Sequence, residues 1–467
     1  MSGAWIARTF RFVPARLRHA EFWLVAFGFT GLACVYATLM HDVVQNGDAA
    51  VYTEQVQQHV FDDRAIHIGY MLLGSVFHAL LPLQIDRAMN VMALTFGLAA
   101  ALALYLTAKH LGSRWAGVAS VLLLLCSGSY VKSMVLSEVD ILSAALVMIS
   151  YAFYLHRLNV AAGATFGLAM LTTPVTATFL PLFVLTFAID EDGAWPTVRV
   201  QFMRVLWFGL VALAVYAPFV IWQRQSYFYG GRSVTTSAYF PFDAIAQLER
   251  GAHFFMANSW ALLALYFAGI VSALTDKSLW RRDQVALGLL LSVLLTALLA
   301  DRTGDVPVHL PSLAPLALIA VLFLNRLASA SKAVWAVPIS AFLFMAPSAY
   351  LAAQQQVNTQ LTLRRRYKAM RAQSEPLRAM LAGFPEGFTR QRFFEHYAYG
   401  TSYIGLVPTI AELRARLPQL RSGPEEFVIF FVRRVPRDVE RALKDRYELA
   451  DREVQGAHFK ALVPRPH

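Results

Sequence analysis

Residues 22–40 read FWLVAFGFTGLACVYATLM, and residues 41–54, which follow directly, read HDVVQNGDAAVYTE. The first stretch contains 19 residues without a charge, and a helix of about 20 apolar residues is long enough to span a bilayer. The second stretch is polar and carries Asp42, Asp48 and Glu54. A spanning helix that ends in an acidic loop predicts a membrane protein with ionisable side chains concentrated at one membrane surface.

The composition extends this prediction to most of the chain. Of the 467 residues, 57% are hydrophobic and only 15% are charged, whereas soluble domains carry about 25% charged residues. Uncharged stretches alternate with short charged ones as far as residue 351, and the remainder has the composition of a soluble domain. We therefore expect an α-helical polytopic membrane module over residues 1–351 and a separate domain over 352–467.

Spanning segments are predicted from the uncharged runs. They are residues 22–40, 88–108, 115–131, 141–156, 205–223, about 256–275, 284–300, 306–325 and 333–351. Residues 158–189 are expected to make two short passes that turn near Thr172-Thr173-Pro174, and residues 65–85 to lie along the interface, although a spanning 65–85 stays open. Basic residues are enriched on the cytoplasmic side of membrane proteins, which favours about 11 spans with a cytoplasmic amino terminus and an external tail.

The tail is predicted to be a small α/β extracytoplasmic domain. Residues 426–432 and 458–463 have strand-like patterns, and residues 436–447 have a helical pattern with Arg and Lys on one face. The short loops and the single plain tail favour a bacterial inner membrane, with the tail in the periplasm.

The net charge of +11 does not indicate a nucleic-acid partner. About half of the 41 Lys and Arg residues lie beyond residue 360, and most of the others flank apolar runs, where they meet lipid headgroups. No basic stripe is interleaved with aromatic residues on a polar face. Cys34 and Cys126 both lie in apolar runs, which predicts two buried hydrophobic side chains and no disulfide framework.

The first outer loop, residues 41–87, contains the first candidate site residues. Asp48 and Tyr52 are four residues apart, so they share one face of a helix that Asn46-Gly47 would precede with a turn. Asp48 is interpreted either as the cap of that helix or as a general base for an acceptor hydroxyl.

The second outer loop, residues 132–140, offers two more carboxylates, Glu138 and Asp140. Ser137 or Asp140 could cap the next spanning helix; alternatively, the carboxylates face the first loop across an outward cavity. Basic residues on the same face are candidates for contacts with a phosphate, or are anchors at the membrane surface. These residues are Arg64, His67, Arg87, Lys132, Arg224, Arg232, Arg302 and His309.

Motifs for other chemistries are absent from the sequence. There is no glycine-rich phosphate loop, no His-x-x-x-His pair and no Gly-x-Ser-x-Gly elbow. No cofactor is expected. The carboxylates of the first loop include Asp62-Asp63 and could in principle bind a divalent metal, but their spacing is not diagnostic.

This layout resembles the GT-C superfamily of polytopic membrane glycosyltransferases, which includes aminoarabinose transferases and protein O-mannosyltransferases. In that family the first span is followed by a loop with a key Asp, often with a Tyr four residues on, matched here by Asp48 and Tyr52. The motif His67-Ile68-Gly69-Tyr70 occupies the place of a family Lys or His, but the two prolines that follow it in relatives are absent.

Further along the chain, four more motifs are similar to family segments. They are Asp86-Arg87 at the second span, Asp140-Ile141-Leu142 in the second outer loop, residues 167–174 (GLAMLTTP) at the end of the fifth span, and His309-Leu310-Pro311 near the lipid donor. Thr173 stands where many relatives have Lys.

The resemblance implies that a sugar moves from a polyprenyl-phosphate donor to a lipid-linked glycan, a lipid or a protein on the outer face. It implies that Asp48 is the general base and that Asp140 or Glu138 orients the acceptor or the base. The substrate-binding set that it implies is Tyr52, Arg64, His67, Tyr70, Arg87, Lys132, Arg302 and His309. Two other classes stay open: a transporter or flippase, which would need polar groups within the spans, and a non-catalytic membrane scaffold.

Overall fold

The computed structural model describes residues 15–40, 67–186, 198–222, 310–330, 335–343, 429–431, 437–454 and 457–465, with single residues and short stretches between them. The chain divides into two compact units, residues 1–356 and 357–467. Each unit is described by itself.

The first unit is a helical bundle. Its first five described helices are α1 (Ala15–Leu39), α2 (Ile68–Leu80), α3 (Ile85–Leu111), α4 (Arg114–Leu125) and α5 (Gly128–Leu136). These are followed by α6 (Val139–Leu155), α7 (Asn159–Thr172), a 3₁₀ segment (Pro174–Phe179), α8 (Leu180–Leu185), α9 (Val198–Trp222) and α10 (Leu310–Ala330).

Several of these helices are apolar spans, so the chain is an integral membrane protein. Within the described ranges, Glu21–Leu39, Ile85–Leu111 and Arg199–Ile221 are each long and apolar enough to cross a bilayer. Helices α4 and α5 together form a fourth candidate, a span that bends by 72° at its break. The continuous span predicted over 115–131 is therefore wrong: α4 ends at Leu125, and α5 starts at Gly128 in a new direction.

Helix α2 has 13 residues and a length of about 20 Å, shorter than the roughly 30 Å hydrocarbon core of a bilayer. This length agrees with the interfacial placement of residues 65–85 and disfavours a span. The predicted interruption near Thr172-Thr173-Pro174 is also present, because α7 ends at Thr172 and Pro174 opens the 3₁₀ segment.

Helices α7 and α9 approach each other closely through two glycines on α7. A Cβ atom at Gly163 would lie 2.5 Å from the carbonyl oxygen of Phe208, and one at Gly167 would lie 2.6 Å from that of Ala212. Small residues four apart let helix backbones meet in a membrane. This contact holds α7 against α9.

Helix α9 starts at Val198, earlier than the predicted span over 205–223, and this places Arg204 inside the helix. Arg204 is 8% exposed. It donates a hydrogen bond to the carbonyl oxygen of Tyr154 (2.8 Å), and its guanidinium lies 5.0 Å from the centroid of the Tyr154 ring. Gln201 is also buried and donates to the Thr186 carbonyl oxygen (2.9 Å). The Arg204 guanidinium therefore bonds to uncharged groups, including a backbone carbonyl at the end of α6. These contacts explain how a charged side chain is held inside the bundle.

In the second unit, three strands form one antiparallel sheet in the order β1-β3-β2. They are β1 (Ile429–Phe431), β2 (Tyr447–Val454) and β3 (Ala457–Pro464), and helix α11 (Arg437–Leu443) lies between β1 and β2 in the sequence. Strands β1 and β3 lie in the predicted regions. Strand β2 was not predicted, and α11 ends four residues before the expected Tyr447.

Candidate functional site

The first described part of the candidate site is the start of α2, which lies directly on the end of α7. The Nδ1 atom of His67 donates a hydrogen bond to the carbonyl oxygen of Thr172 (2.5 Å). One residue into α2, a Cβ atom at Gly69 would lie 2.5 Å from Thr172 Oγ1 and 2.7 Å from its backbone nitrogen. Only glycine allows this approach, so the sequence places His67 against the end of α7 through Gly69.

Tyr52 brings the first outer loop to the same place. Its ring meets the His67 ring edge-on, with the centroids 5.2 Å apart, and its centroid is 6.4 Å from that of Tyr70. Ala49, Tyr52, Thr53 and Val56 are helical, and Thr53 Oγ1 donates to the Ala49 carbonyl oxygen (2.6 Å). Asp48 itself lies outside the described residues.

Tyr70 joins α2 to the second outer loop. Its side chain is fully buried, and its hydroxyl lies 2.9 Å from Ser137 Oγ and 3.2 Å from the Ser137 carbonyl oxygen. Ser137 Oγ in turn donates to the carbonyl oxygen of Met89 on α3 (3.0 Å). Tyr70, Ser137 and Met89 thus connect α2, the α5–α6 junction and α3.

Glu138 follows Ser137 and has a buried carboxylate. One oxygen accepts a short hydrogen bond from Ser133 Oγ, and the other lies 3.4 Å from Lys132 Nζ. The side chain of Lys132 is 55% exposed, whereas that of Glu138 is 7% exposed. The pair therefore presents its positive end to the surroundings and keeps its negative end inside the fold.

Asp140 lies in the first turn of α6 and is half-buried. Its Oδ1 atom lies 3.4 Å from Thr173 Oγ1, which donates to it. An acidic side chain is favoured in the first turn of a helix by the helix dipole, so this position also stabilises the carboxylate. Thr172 and Thr173 are adjacent, so the junction after α7 contacts His67 through one residue and Asp140 through the next.

The structure thus brings together six of the predicted site residues at the end of the bundle where α2 lies. They are Tyr52, His67, Tyr70, Lys132, Glu138 and Asp140. Arg87 is exposed in the first turn of α3, beside the buried Asp86. The other four, Asp48, Arg64, Arg302 and His309, lie outside the described residues.

Two partners of the site were not predicted to take part in it. Ser137 was predicted only as a possible helix cap, and Thr173 only as a departure from a family pattern. In the structure, each is hydrogen-bonded to a site residue. Their signal in the sequence is weak, because hydroxyl residues near helix ends usually serve as caps. Within the described ranges, no three His, Cys, Asp or Glu side chains are placed to hold a metal ion.

Comparison with known proteins adds a structural relationship and no sequence relationship. No protein-family model and no curated protein sequence matches the chain. The crystal structure of ArnT from Cupriavidus metallidurans in the apo state matches 95% of this chain and 98% of its own, with 13% identity and a TM-score of 0.60. The chain has a GT-C fold.

The ArnT structure bound to undecaprenyl phosphate shows the same coverage, with 12% identity and a TM-score of 0.58. A crystal structure of the Archaeoglobus fulgidus oligosaccharyltransferase, in complex with Zn and sulfate, matches 79% of this chain with 15% identity and a TM-score of 0.47. The two ArnT structures confirm the predicted resemblance to the GT-C superfamily at the level of the fold.

Proposed function

We propose that this chain is a glycosyltransferase that moves a sugar from a polyprenyl phosphate to a lipid-linked glycan, lipid or protein acceptor on the outer face of the membrane. The observation that carries the proposal is the meeting of the two outer loops, on a GT-C fold, at one end of the bundle. There Tyr52 of the first loop lies against His67, and the junction after α7 that holds His67 also contacts Asp140.

In the proposed reaction, Asp48 removes the proton of an acceptor hydroxyl, whose oxygen forms a bond to the anomeric carbon of the sugar. The bond from that carbon to the phosphate oxygen breaks, and polyprenyl phosphate leaves with the electron pair. Cationic groups that face the phosphate stabilise the charge that develops on it.

Three of the described residues are candidates for those cationic groups. Lys132 and Arg87 are exposed, and His67 is held at the site through its Nδ1 atom. Arg64, Arg302 and His309 are proposed to complete the phosphate contacts. Tyr52 and Tyr70 are proposed to line the substrate site, and Glu138 or Asp140 to orient the acceptor or the base.

The location of the site at one bundle end favours transfer at the membrane surface over transport through the bundle. The buried Arg204 and Gln201 lie near the opposite end of α6, roughly 20 Å from Asp140 along that helix. Their hydrogen bonds are made to backbone and side-chain groups of α6, α8 and α9, as expected for a structural cluster.

The experiment compares envelope glycolipids, glycans and glycoproteins by mass spectrometry in a deletion strain. The strain carries the wild-type protein, Asp48→Asn or Asp140→Asn at equal membrane levels, with Asp445→Asn as a matched control at an exposed turn of the second unit. A sugar mass that is present with wild type and Asp445→Asn but lost with Asp48→Asn supports transfer and reveals the sugar and the acceptor. Equal products from wild type and Asp48→Asn, despite a change on deletion, would remove Asp48 as the base and favour transport or scaffolding.

A further inference from the structure

The junction between α5 and α6 contains a backbone conformation that L-amino acids rarely adopt. Ser137 has φ 54° and ψ 52°, in the left-handed region, and Arg157 is the other described non-glycine residue with positive φ. Glycine is the usual residue at this position after a helix, because it adopts the conformation without a steric penalty. A serine here must therefore contribute something that glycine cannot.

The hydroxyl of Ser137 is that contribution. It has one proton, which it donates to the Met89 carbonyl oxygen, so the Tyr70 hydroxyl is the donor in the contact between the two side chains. Both side chains are fully buried. A buried chain of hydrogen bonds thus runs in one direction from α2, through the junction, to α3. These hydrogen bonds hold Ser137 in its left-handed backbone conformation.

The two residues that follow this strained position carry the candidate carboxylates. Glu138 comes next, and Asp140 opens α6 two residues later. Any rotation of the junction would therefore turn both carboxylates relative to Tyr52, whose ring contacts the rings of Tyr70 and His67. Strain that the surroundings maintain beside a reactive site is a recognised form of preorganisation.

We propose that Tyr70 and Ser137 are positioning residues for sugar transfer, which fix the direction of Glu138 and Asp140 relative to the first outer loop. This inference rests on the proposed function. It assigns the Tyr70 hydroxyl to Ser137.

The test uses three substitutions, each of which removes one buried hydroxyl group. Tyr70→Phe removes the donor and keeps the ring, and Ser137→Gly removes the hydroxyl while relieving the backbone, so it should fold even where Tyr70→Phe does not. Tyr130→Phe is the matched control: Tyr130 is also buried, lies on α5, and donates to a backbone carbonyl, that of Gly97, at 2.8 Å.

Three quantities are measured on the full-length protein. They are the amount of sugar-modified product in the deletion strain, the Kd for undecaprenyl phosphate in detergent, and the hydrogen exchange of backbone amides 137–142. We expect Tyr70→Phe and Ser137→Gly to lower product at least about tenfold, because small displacements of reacting groups have effects of that size. The double variant should be no worse than the poorer single variant, and Kd should change less than about threefold.

The control separates positioning from general loss of a buried hydroxyl. Tyr130→Phe should lower product by less than about twofold and leave the exchange of amides 137–142 unchanged, whereas Tyr70→Phe should accelerate it. Unchanged exchange in Tyr70→Phe, product within twofold of wild type, or an equal loss in Tyr130→Phe would each overturn the positioning role. If the wild-type protein transfers no sugar, the proposed function fails and the positioning role fails with it, even where exchange shows that the hydrogen-bond chain holds the junction.

Discussion

The Nδ1 atom of His67 lies 2.5 Å from the carbonyl oxygen of Thr172 and is hydrogen-bonded to it, although the two residues are 105 positions apart in the sequence. A carbonyl oxygen can only accept a hydrogen bond, so Nδ1 carries the proton, and the tautomer of the neutral ring is thereby fixed. Nε2 can then accept a proton or, when protonated, donate a hydrogen bond to a phosphate. A backbone carbonyl at the end of α7 thus determines which nitrogen of His67 faces other partners.

We predict that His67→Gln weakens binding of undecaprenyl phosphate about tenfold, since it removes a phosphate contact comparable to a charge-assisted hydrogen bond. The measurement is the Kd of the purified protein for that lipid. His78→Gln, in the last turn of the same helix, is the control and should bind as wild type does. Equal affinities in the two variants would exclude His67 from the phosphate site.

Substitution of Glu138 tests whether its carboxylate contributes only to folding stability or also to sugar transfer. Glu138→Gln should destabilise the protein by about 1–3 kcal/mol, because it weakens a buried hydrogen bond to Ser133 and the contact with Lys132. Lys132→Met should cost less than about 1 kcal/mol, since the Lys132 side chain is mostly exposed.

Thermal unfolding in detergent and sugar transfer in the deletion strain are measured for both variants. A loss of transfer in Glu138→Gln that exceeds its loss of folded protein supports a role in orienting the acceptor. A loss in proportion to folded protein would assign Glu138 to structure alone.

The packing of α7 on α9 predicts a steric effect at single methyl groups. Gly163→Ala and Gly167→Ala should each lower the Tm by several degrees, because the added Cβ would collide with a backbone carbonyl of α9. Gly209→Ala is the control on α9: a Cβ there meets no atom within 4 Å, so its Tm should be equal or higher. Similar Tm values for all three variants would contradict the close contact.

Spans were predicted from the length of uncharged runs, and these predictions agree with the structure where run length alone determines where a helix ends. The break at Thr173-Pro174 was predicted because 32 uncharged residues exceed one span and Pro174 cannot continue a helix. The bend between α4 and α5 was missed, since hydropathy does not register direction; Ser127-Gly128 is a weak local signal. Arg204 immediately precedes the predicted span over 205–223, and its burial was not predicted, because its partners, Gln201 and the end of α6, are defined only by packing.

The candidate site was also predicted only in part, because some of its contacts are defined by packing. Asp48, Tyr52, His67 and Asp140 were predicted as site residues from loop position and from a family resemblance, and their roles stay predictions. The structure places the Tyr52 ring against that of His67. The contacts of Thr172, Thr173 and Ser137 join residues 33 to 105 positions apart, so no local pattern specifies them. Strand β2 was missed because Glu448, Asp451, Arg452 and Glu453 give it no alternation of apolar and polar residues.

The most direct test of sugar transfer follows one sugar between two pools in the same cells. Mass spectrometry quantifies that sugar on polyprenyl phosphate and on its acceptor, in a deletion strain producing wild-type protein or Asp48→Asn at equal membrane levels. We predict that Asp48→Asn abolishes the sugar on the acceptor and causes the same sugar to accumulate on polyprenyl phosphate. Identical pools in the two strains, when deletion of the chain changes them, would contradict the account.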